Sequence, residues 1–228
     1  MNRKGTLIAL EGLDGSGKQT QSGLLKENLE KLGYKARVVS APYYGKWHCE
    51  FVERHLAGQF GKNAKEINPY KASNFYAVDR LGGYEEDWKE DYENGVIIIC
   101  DRYVGSNMLY QSSKFDKKED KMNLIKWIGN LEYDINGLPI PDVNLMLSVK
   151  PEISEKLRKN KRNKATNGEE LDIYENNLEF LIDIYNNANF VVDLLGWETI
   201  QCDNEKGMRS IEEIAKDILE LVRNKIEL

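Results

Sequence analysis

Gly12-Leu13-Asp14-Gly15-Ser16-Gly17-Lys18-Gln19-Thr20 has the residue types and spacing of a phosphate cradle, the G-x-x-x-x-G-K frame of a P-loop. Glycines let the backbone close around phosphate oxygens. Successive N–H groups and the N-terminus of a following helix then face the anion. Lys18 is the point charge for the β and γ phosphates of a nucleotide. The residue after the lysine is Gln19, with Thr20 next, where a hydroxyl side chain usually ligates magnesium. That ion is therefore expected through water or on carboxylates elsewhere. The chain has no Asn-Lys-x-Asp guanine motif, and 228 residues are too few for a large ATPase motor. A small kinase fits, and it needs a second substrate pocket and a basic cover.

Further along, Asp101 ends an apolar run, Val96–Cys100, and Arg102 follows it. A carboxylate at the carboxyl end of a strand can hold magnesium through water, and an adjacent guanidinium can clamp an acceptor phosphate with paired donors. The competing reading is an internal ion pair at a strand end. Tyr76 and Arg80 are four apart and share a helical face. Asp14 inside the glycine loop can also serve as a local turn cap. Lys156–Lys164 carries six basic residues in nine and no acid, in a chain of formal net charge −6. Such a run is most often a solvated face. Asp172 and Glu175 are three apart and fall on one face near a helix start, where acids commonly cap.

These residues need a scaffold of alternating elements. Thr6–Leu10, Ala36–Ser40, Val96–Cys100, Val143–Val149 and, more weakly, Thr199–Cys202 read as strands. Leu24, Leu25, Leu29 and Leu32 recur at helical spacing before Gly33. Tyr174, Leu178, Leu181 and Tyr185 form a second helical face. Ile211, Ile214, Ile218, Val222 and Ile226 form a third, behind a Ser210-x-x-Glu213 capping box. Pro151 marks another helix start, and Asp116–Met122 reads as a charged loop. Short buried strands alternating with helices predict an α/β fold with a parallel sheet covered on both faces, in one domain spanning 1–228.

Hydrophobic residues make up 41% and charged residues 31%, a globular composition. The acidic balance argues against a general nucleic-acid or anionic-membrane binder. Three cysteines, Cys49, Cys100 and Cys202, cannot all pair within the chain and lack metal-ligand spacing, which predicts a reducing compartment. The N-terminal apolar run is too short for a signal-peptide core, and no uncharged stretch reaches the roughly 18 residues of a membrane span. A cytoplasmic protein with no nucleic-acid or membrane partner is expected.

Taken in order, Glu11-Gly-Leu-Asp-Gly-Ser-Gly-Lys18, Tyr76-Ala-Val-Asp-Arg80, Asp101-Arg-Tyr-Val-Gly-Ser-Asn107-Met-Leu-Tyr110, Leu138-Pro-Ile-Pro-Asp142 and Asp172-Ile-Tyr-Glu175 resemble the thymidylate kinases over nearly the whole chain. The resemblance implies the P-loop nucleoside monophosphate kinase fold, five parallel strands flanked by helices, in a homodimer. It implies transfer of the ATP γ-phosphate to dTMP with Mg2+. ATP would lie on Gly12, Asp14, Gly15, Ser16, Gly17, Lys18, Gln19 and Thr20. Asp14, Tyr44, Tyr76, Arg80, Arg102, Ser106, Asn107, Tyr110, Asp172 and Glu175 would surround dTMP, with Tyr76 stacking on the base and Arg80 on its O4 edge. Ser106 and Asn107 would meet the Watson–Crick edge, and Tyr110 the sugar where a 2′-hydroxyl would sit. Lys18, Asp101, Arg102 and lid arginines Arg158 and Arg162 would be catalytic, the lid spanning about 156–171. Asp14, Asp101 and Glu175 would serve the metal. Where the family carries Phe-Pro-Arg-Tyr, this chain has Ala41-Pro42-Tyr43-Tyr44, so Tyr43 replaces a phosphate-holding arginine for which Lys46 could compensate. Two other readings stay open: a kinase of deoxynucleosides or other nucleoside monophosphates, and a non-catalytic nucleotide-binding protein.

Overall fold

A computed structural model describes residues 4–158, 173–174 and 178–226. Five strands form one parallel sheet: β1 (Leu7–Glu11), β2 (Ala36–Ser40), β3 (Ile97–Asp101), β4 (Val143–Ser148) and β5 (Glu198–Gln201), in the order β2-β3-β1-β4-β5. A small antiparallel pair, β6 (Asp203–Asn204) and β7 (Gly207–Met208), follows. The helices are α1 (Lys18–Lys31), α2 (Glu50–Leu56), α3 (Pro69–Gly83), α4 (Lys89–Glu93), α5 (Val104–Ser112), α6 (Lys118–Gly129), α7 (Pro151–Arg158), α8 (Leu178–Leu195) and α9 (Ile211–Lys225). A 3₁₀ turn precedes α2 at Trp47–Cys49. π-Helical turns follow α3 at Tyr84–Trp88 and α6 at Asn130–Ile135.

All five residues of β1 are buried, because side chains alternate across a strand and both faces are covered. Leu7 and Ala9 join a layer with Leu109 of α5, Ile125 of α6 and Leu181 of α8. Ile8 and Leu10 join the other layer with Leu25 and Leu29 of α1 and Ile214, Ile218 and Val222 of α9. β1 is therefore the central strand, and the loops that leave the carboxyl ends of β1 and β3 open side by side at the crevice where such sheets bind ligands.

Local signals account for several boundaries. Ser210 and Glu213 form a reciprocal capping box at α9. The Asn68 side chain accepts from the backbone N–H of Tyr70 and Lys71, with Pro69 opening α3. All five expected strands are present, with β1 and β3 one residue later than the apolar runs indicated, since Glu11 and Asp101 complete the pairing.

Three expectations are corrected. Asp116–Met122 is not a loop, because α6 begins at Lys118. Its charged first turn carries Glu119 and Asp120 at the favourable helix end, and Leu124, Ile125 and Ile128 supply its buried face. Tyr174 lies in a turn before α8, Leu178 is exposed, and α8 instead buries Phe180, Leu181, Ile184, Asn187, Ala188 and Val191. Ile211 lies on the exposed first turn of α9 rather than in its buried stripe.

Candidate active site

The glycine loop joins β1 to α1, and Gly17 stands at the α1 N-cap with φ 89°. At Gly12, φ is 150°, and a Cβ would stand 2.7 Å from the Leu147 carbonyl oxygen and 2.8 Å from Ser16 Oγ. Both the backbone angle and the space require glycine there. Lys18 is buried and donates from Nζ to the carbonyl oxygens of Gly12 at 3.1 Å and Leu13 at 2.9 Å. Burial, helped by nearby Arg102, lowers its pKa to about 8.

A cavity of about 300 Å³ opens beside this loop. Asp14, Gly15, Gly17, Lys18 and Gln19 line one part of it. Gly12 and Ser16 are packed beneath, and Thr20 is exposed on the first turn of α1, outside the lining residues. Asp101 and Arg102 enter from the end of β3, and Ser106, Asn107, Tyr110 and Gln111 from α5. Tyr76, Asp79 and Arg80 come from α3, and Tyr44 from the segment after β2.

Arg102 has φ 71°, a conformation rare outside glycine, and its side chain ties three pieces together. Nη1 donates to the Gly12 carbonyl and to Ser106 Oγ, both at 3.1 Å. Nη2 donates to Asp14 Oδ1 at 2.8 Å and to the Tyr110 hydroxyl at 3.2 Å, and the guanidinium lies 5.3 Å from the Tyr110 ring centroid. Ser106 also donates to Glu11. Its hydroxyl is thus held at the Arg102 end of the cavity, away from the pair that Asn107 joins. Glu11 is fully buried and accepts the Tyr103 backbone N–H at 3.0 Å. Burial raises its pKa, and the Ser106 hydrogen bond partly offsets that rise.

At the other end of the cavity, Arg80 donates from Nε and Nη2 to the two oxygens of Glu132, each at 2.5 Å, and both residues are buried. Asn107 Nδ2 donates to the same carboxylate at 3.1 Å and to the Ser73 carbonyl at 3.3 Å. Asn107 Oδ1 and, one turn on, Gln111 Oε1 are buried with no hydrogen-bond partner among the described residues. An orphaned buried acceptor is costly, and both residues line the cavity. Tyr76 stands beside them, half-buried, with its ring edge-on to His55. Phe75, the neighbouring aromatic, instead packs with Phe51 and Phe60.

Gln111 and Glu132 are the residues that the motif reading missed. Gln111 follows the Asp101–Tyr110 motif directly, on the face of Asn107, so helical spacing gives a signal for it. Glu132 depends on the π-helical turn and has no local sequence signal. Tyr43 lies outside the cavity lining, its ring packed over Gly83, and burial raises its phenol pKa. Lys46 is exposed and also outside the lining. Arg162, Asp172, Glu175 and the Arg158 side chain lie outside the described residues, as does most of the expected lid.

Asp14 and Asp101 offer hard oxygen donors in the cavity next to the phosphate loop. The described residues hold no cluster of three or more His, Cys, Asp or Glu side chains. Two carboxylates fit magnesium, which takes one or two of them with waters and substrate phosphates rather than an all-protein cage. No helix among the described residues is long and apolar enough to cross a membrane.

Several known proteins are similar to this chain over most of its length. A probable thymidylate kinase of Archaeoglobus fulgidus is 30% identical over 193 residues, covering 82% of this chain and 86% of the relative. A thymidylate kinase of Mycobacterium tuberculosis is 28% identical over 176 residues, 76% of this chain and 79% of the relative. A probable thymidylate kinase of Pyrobaculum aerophilum is 28% identical over 148 residues, 65% and 67% of the two chains. The family model described as thymidylate kinase matches residues 10–196, most of the sequence, and the chain belongs to the thymidylate kinase family.

Proposed function

We propose that this site transfers the γ-phosphate of ATP to dTMP, giving dTDP. The observation that carries the reading is a single cavity lined at one part by the phosphate loop and at another by Arg80, Asn107 and Gln111, whose buried amide oxygens have no partner among the described residues. A nucleoside monophosphate needs both kinds of surface. The family membership names the nucleotide.

In this reading, Lys18 and the loop N–H groups hold the donor phosphates. Arg102 holds the acceptor phosphate, since its fork already faces the loop. Tyr76 stacks on thymine. Arg80 uses Nε and Nη2 on Glu132, which leaves Nη1 outside the pair for the O4 edge. Asn107 Oδ1 accepts from N3–H. Tyr110, whose hydroxyl meets Asp14, walls the sugar. Phosphoryl transfer is largely positioning and charge neutralisation. The cations expected on the lid, Arg158 and Arg162, would add both. Asp101 and Asp14, with Glu175 as the motif implies, would hold magnesium, which would supply charge neutralisation at the transferring phosphate. The exposed apolar groove of Phe51, Phe75 and Val78, on α2 and α3, supports a homodimer. Three buried free thiols support a cytoplasmic location.

The test is ADP production from ATP and Mg2+ with thymidine, dTMP, dUMP, UMP, dCMP and dGMP as acceptors, with the product identified. Turnover with dTMP alone or best is expected. Preference for thymidine or dGMP would overturn the reading.

A further inference from the structure

We propose that Glu11 is a positioning residue for the acceptor phosphate: from outside the cavity lining, its buried carboxylate holds the backbone of Arg102 and, through Ser106, its guanidinium. The proposal rests on the reading of Arg102 as the phosphate clamp.

Arg102 sits at φ 71°, which a residue with a Cβ adopts only when its surroundings enforce it. The end of β1 enforces it from both sides. The Arg102 N–H donates to the Leu10 carbonyl at 3.1 Å, and the next N–H, that of Tyr103, donates to Glu11 Oε1 at 3.0 Å. The strained residue is thus bracketed by two acceptors from neighbouring positions of one buried strand. Gly105 lets the carboxylate come this close, since a Cβ there would stand 2.7 Å from Glu11 Oε1.

The side chain is fixed by the direction of its hydrogen bonds. A guanidinium only donates, so the Ser106 hydroxyl oxygen accepts from Arg102 Nη1. Ser106 has one hydrogen of its own, and it goes to Glu11 Oε2. The other Glu11 oxygen takes the Tyr103 N–H, which also only donates. Both ends of this series are obligate donors, and the carboxylate between them accepts on each oxygen, so one direction alone is open. A protonated Glu11 would give its hydrogen to Ser106 and leave the Ser106 hydrogen without an acceptor among the described residues. Burial opposes the charge on Glu11, while Arg102 and Lys18 favour it. Nη1 makes its second bond to the carbonyl of Gly12, the residue after Glu11. The guanidinium is planar and rigid, so tying Nη1 to these two partners sets the plane in which its remaining N–H groups meet a phosphate.

The test measures Kd for thymidine and dTMP, KM for dTMP and ATP, kcat and melting temperature in the wild type, Glu11→Gln, Ser106→Ala and the double variant. Thymidine differs from dTMP only by the phosphate, so the ratio of the two affinities reads the clamp. Glutamine keeps the size of Glu11 but accepts at one end only. With its oxygen on Tyr103 it sets an NH2 against Ser106, and turned round it sets that NH2 against the Tyr103 N–H. We expect the affinity advantage of dTMP over thymidine to fall about 10-fold in Glu11→Gln, the equivalent of one lost hydrogen bond, with thymidine affinity within about 2-fold of the wild type. KM for dTMP should rise by a similar factor, with kcat falling less and KM for ATP nearly unchanged. Ser106→Ala removes the bridging hydroxyl alone, which keeps the test open should Glu11→Gln not fold. It should narrow the same ratio, and the double variant should be no worse than Glu11→Gln. An unchanged ratio in either folded single variant would overturn the proposal. So would losses that multiply in the double variant, or equal losses for thymidine and dTMP with a lowered melting temperature, the mark of a helix cap alone. A wild type that binds dTMP no better than thymidine, or does not phosphorylate it, would overturn the functional reading instead.

Discussion

At Lys18 an ammonium group is almost enclosed by the loop it serves. Enclosure penalises the charged form, and the pKa falls from 10.5 to about 8. The unfolded chain therefore binds more protons than the folded one between those values. Stability must rise with pH through that window, and the full penalty is present below about pH 8. Lys18→Met should raise the melting temperature at pH 7, with the gain shrinking between pH 8 and 10.5. The gain is at most about 3 kcal/mol, at 1.36 kcal/mol per pKa unit. The same variant should lose turnover by several orders of magnitude, because an uncharged side chain cannot neutralise the transferring phosphate. Thermal melts across pH and a turnover assay check both halves, and a destabilised variant would contradict the first. Gln19 gives a second prediction at this scale. It is exposed at the start of α1 and lines the cavity. Gln19→Thr should retain activity or raise it, whereas collapse in that assay would mean that the amide makes its own nucleotide contact.

Among the elements, the π-helical turn after α6 acts on the site from outside the cavity lining. It delivers Glu132 to Arg80 and Asn107 from a distant part of the chain. Removing one partner of a buried pair leaves the other charge uncompensated, at about 3–5 kcal/mol. Glu132→Gln should lose stability on that scale in urea unfolding. It should also raise KM for dTMP more than it lowers kcat, since it loosens Arg80 and Asn107, the residues proposed to read the base. Equal loss of both would place Glu132 outside base recognition. The elements also show where sequence reading succeeds and stops. Strands and capped helices carry local patterns, so β1 to β5 and α9 could be read from alternation, apolar runs and the Ser210–Glu213 box. The start of α6 could not, because its first turn is charged and its apolar stripe begins only at Leu124. Nor could the π turn, whose extra residue per turn is set by tertiary contacts rather than by any residue type.

For the molecule as a whole, the glycine loop, the end of β3, α3 and α5 converge on one cavity because β1 lies between β3 and β4. The motifs gave Lys18, Asp101, Arg102, Tyr76 and Asn107 as lining residues. They stopped one residue short of Gln111, which also lines the cavity, and gave no sign of Glu132, which holds Arg80 and Asn107 from outside the lining and meets them only after folding. The acceptor order follows from this assembled pocket. dUMP lacks one methyl group, worth about 1–3 kcal/mol in an apolar pocket. UMP adds a hydroxyl toward Tyr110. dCMP sets its amino donor against Arg80, and unmatched buried donors cost about 1–3 kcal/mol each. The expected order of kcat/KM is dTMP, dUMP, UMP, with dCMP and purine monophosphates near background. A steady-state comparison reads this directly, and a rank of dCMP above dUMP would refute it.

The contact between Tyr43 and Gly83 bears on how this sequence can change. A Cβ at 83 would stand 2.2 Å from the Tyr43 ring. With tyrosine at 43 in this position, a side chain at 83 requires the ring to move, so the two positions are coupled. Placing an arginine at 43 alone would leave the space over Gly83 unfilled and set a guanidinium near Asp79. A variant library that samples the two positions together would therefore reach combinations that single substitutions at 83 do not.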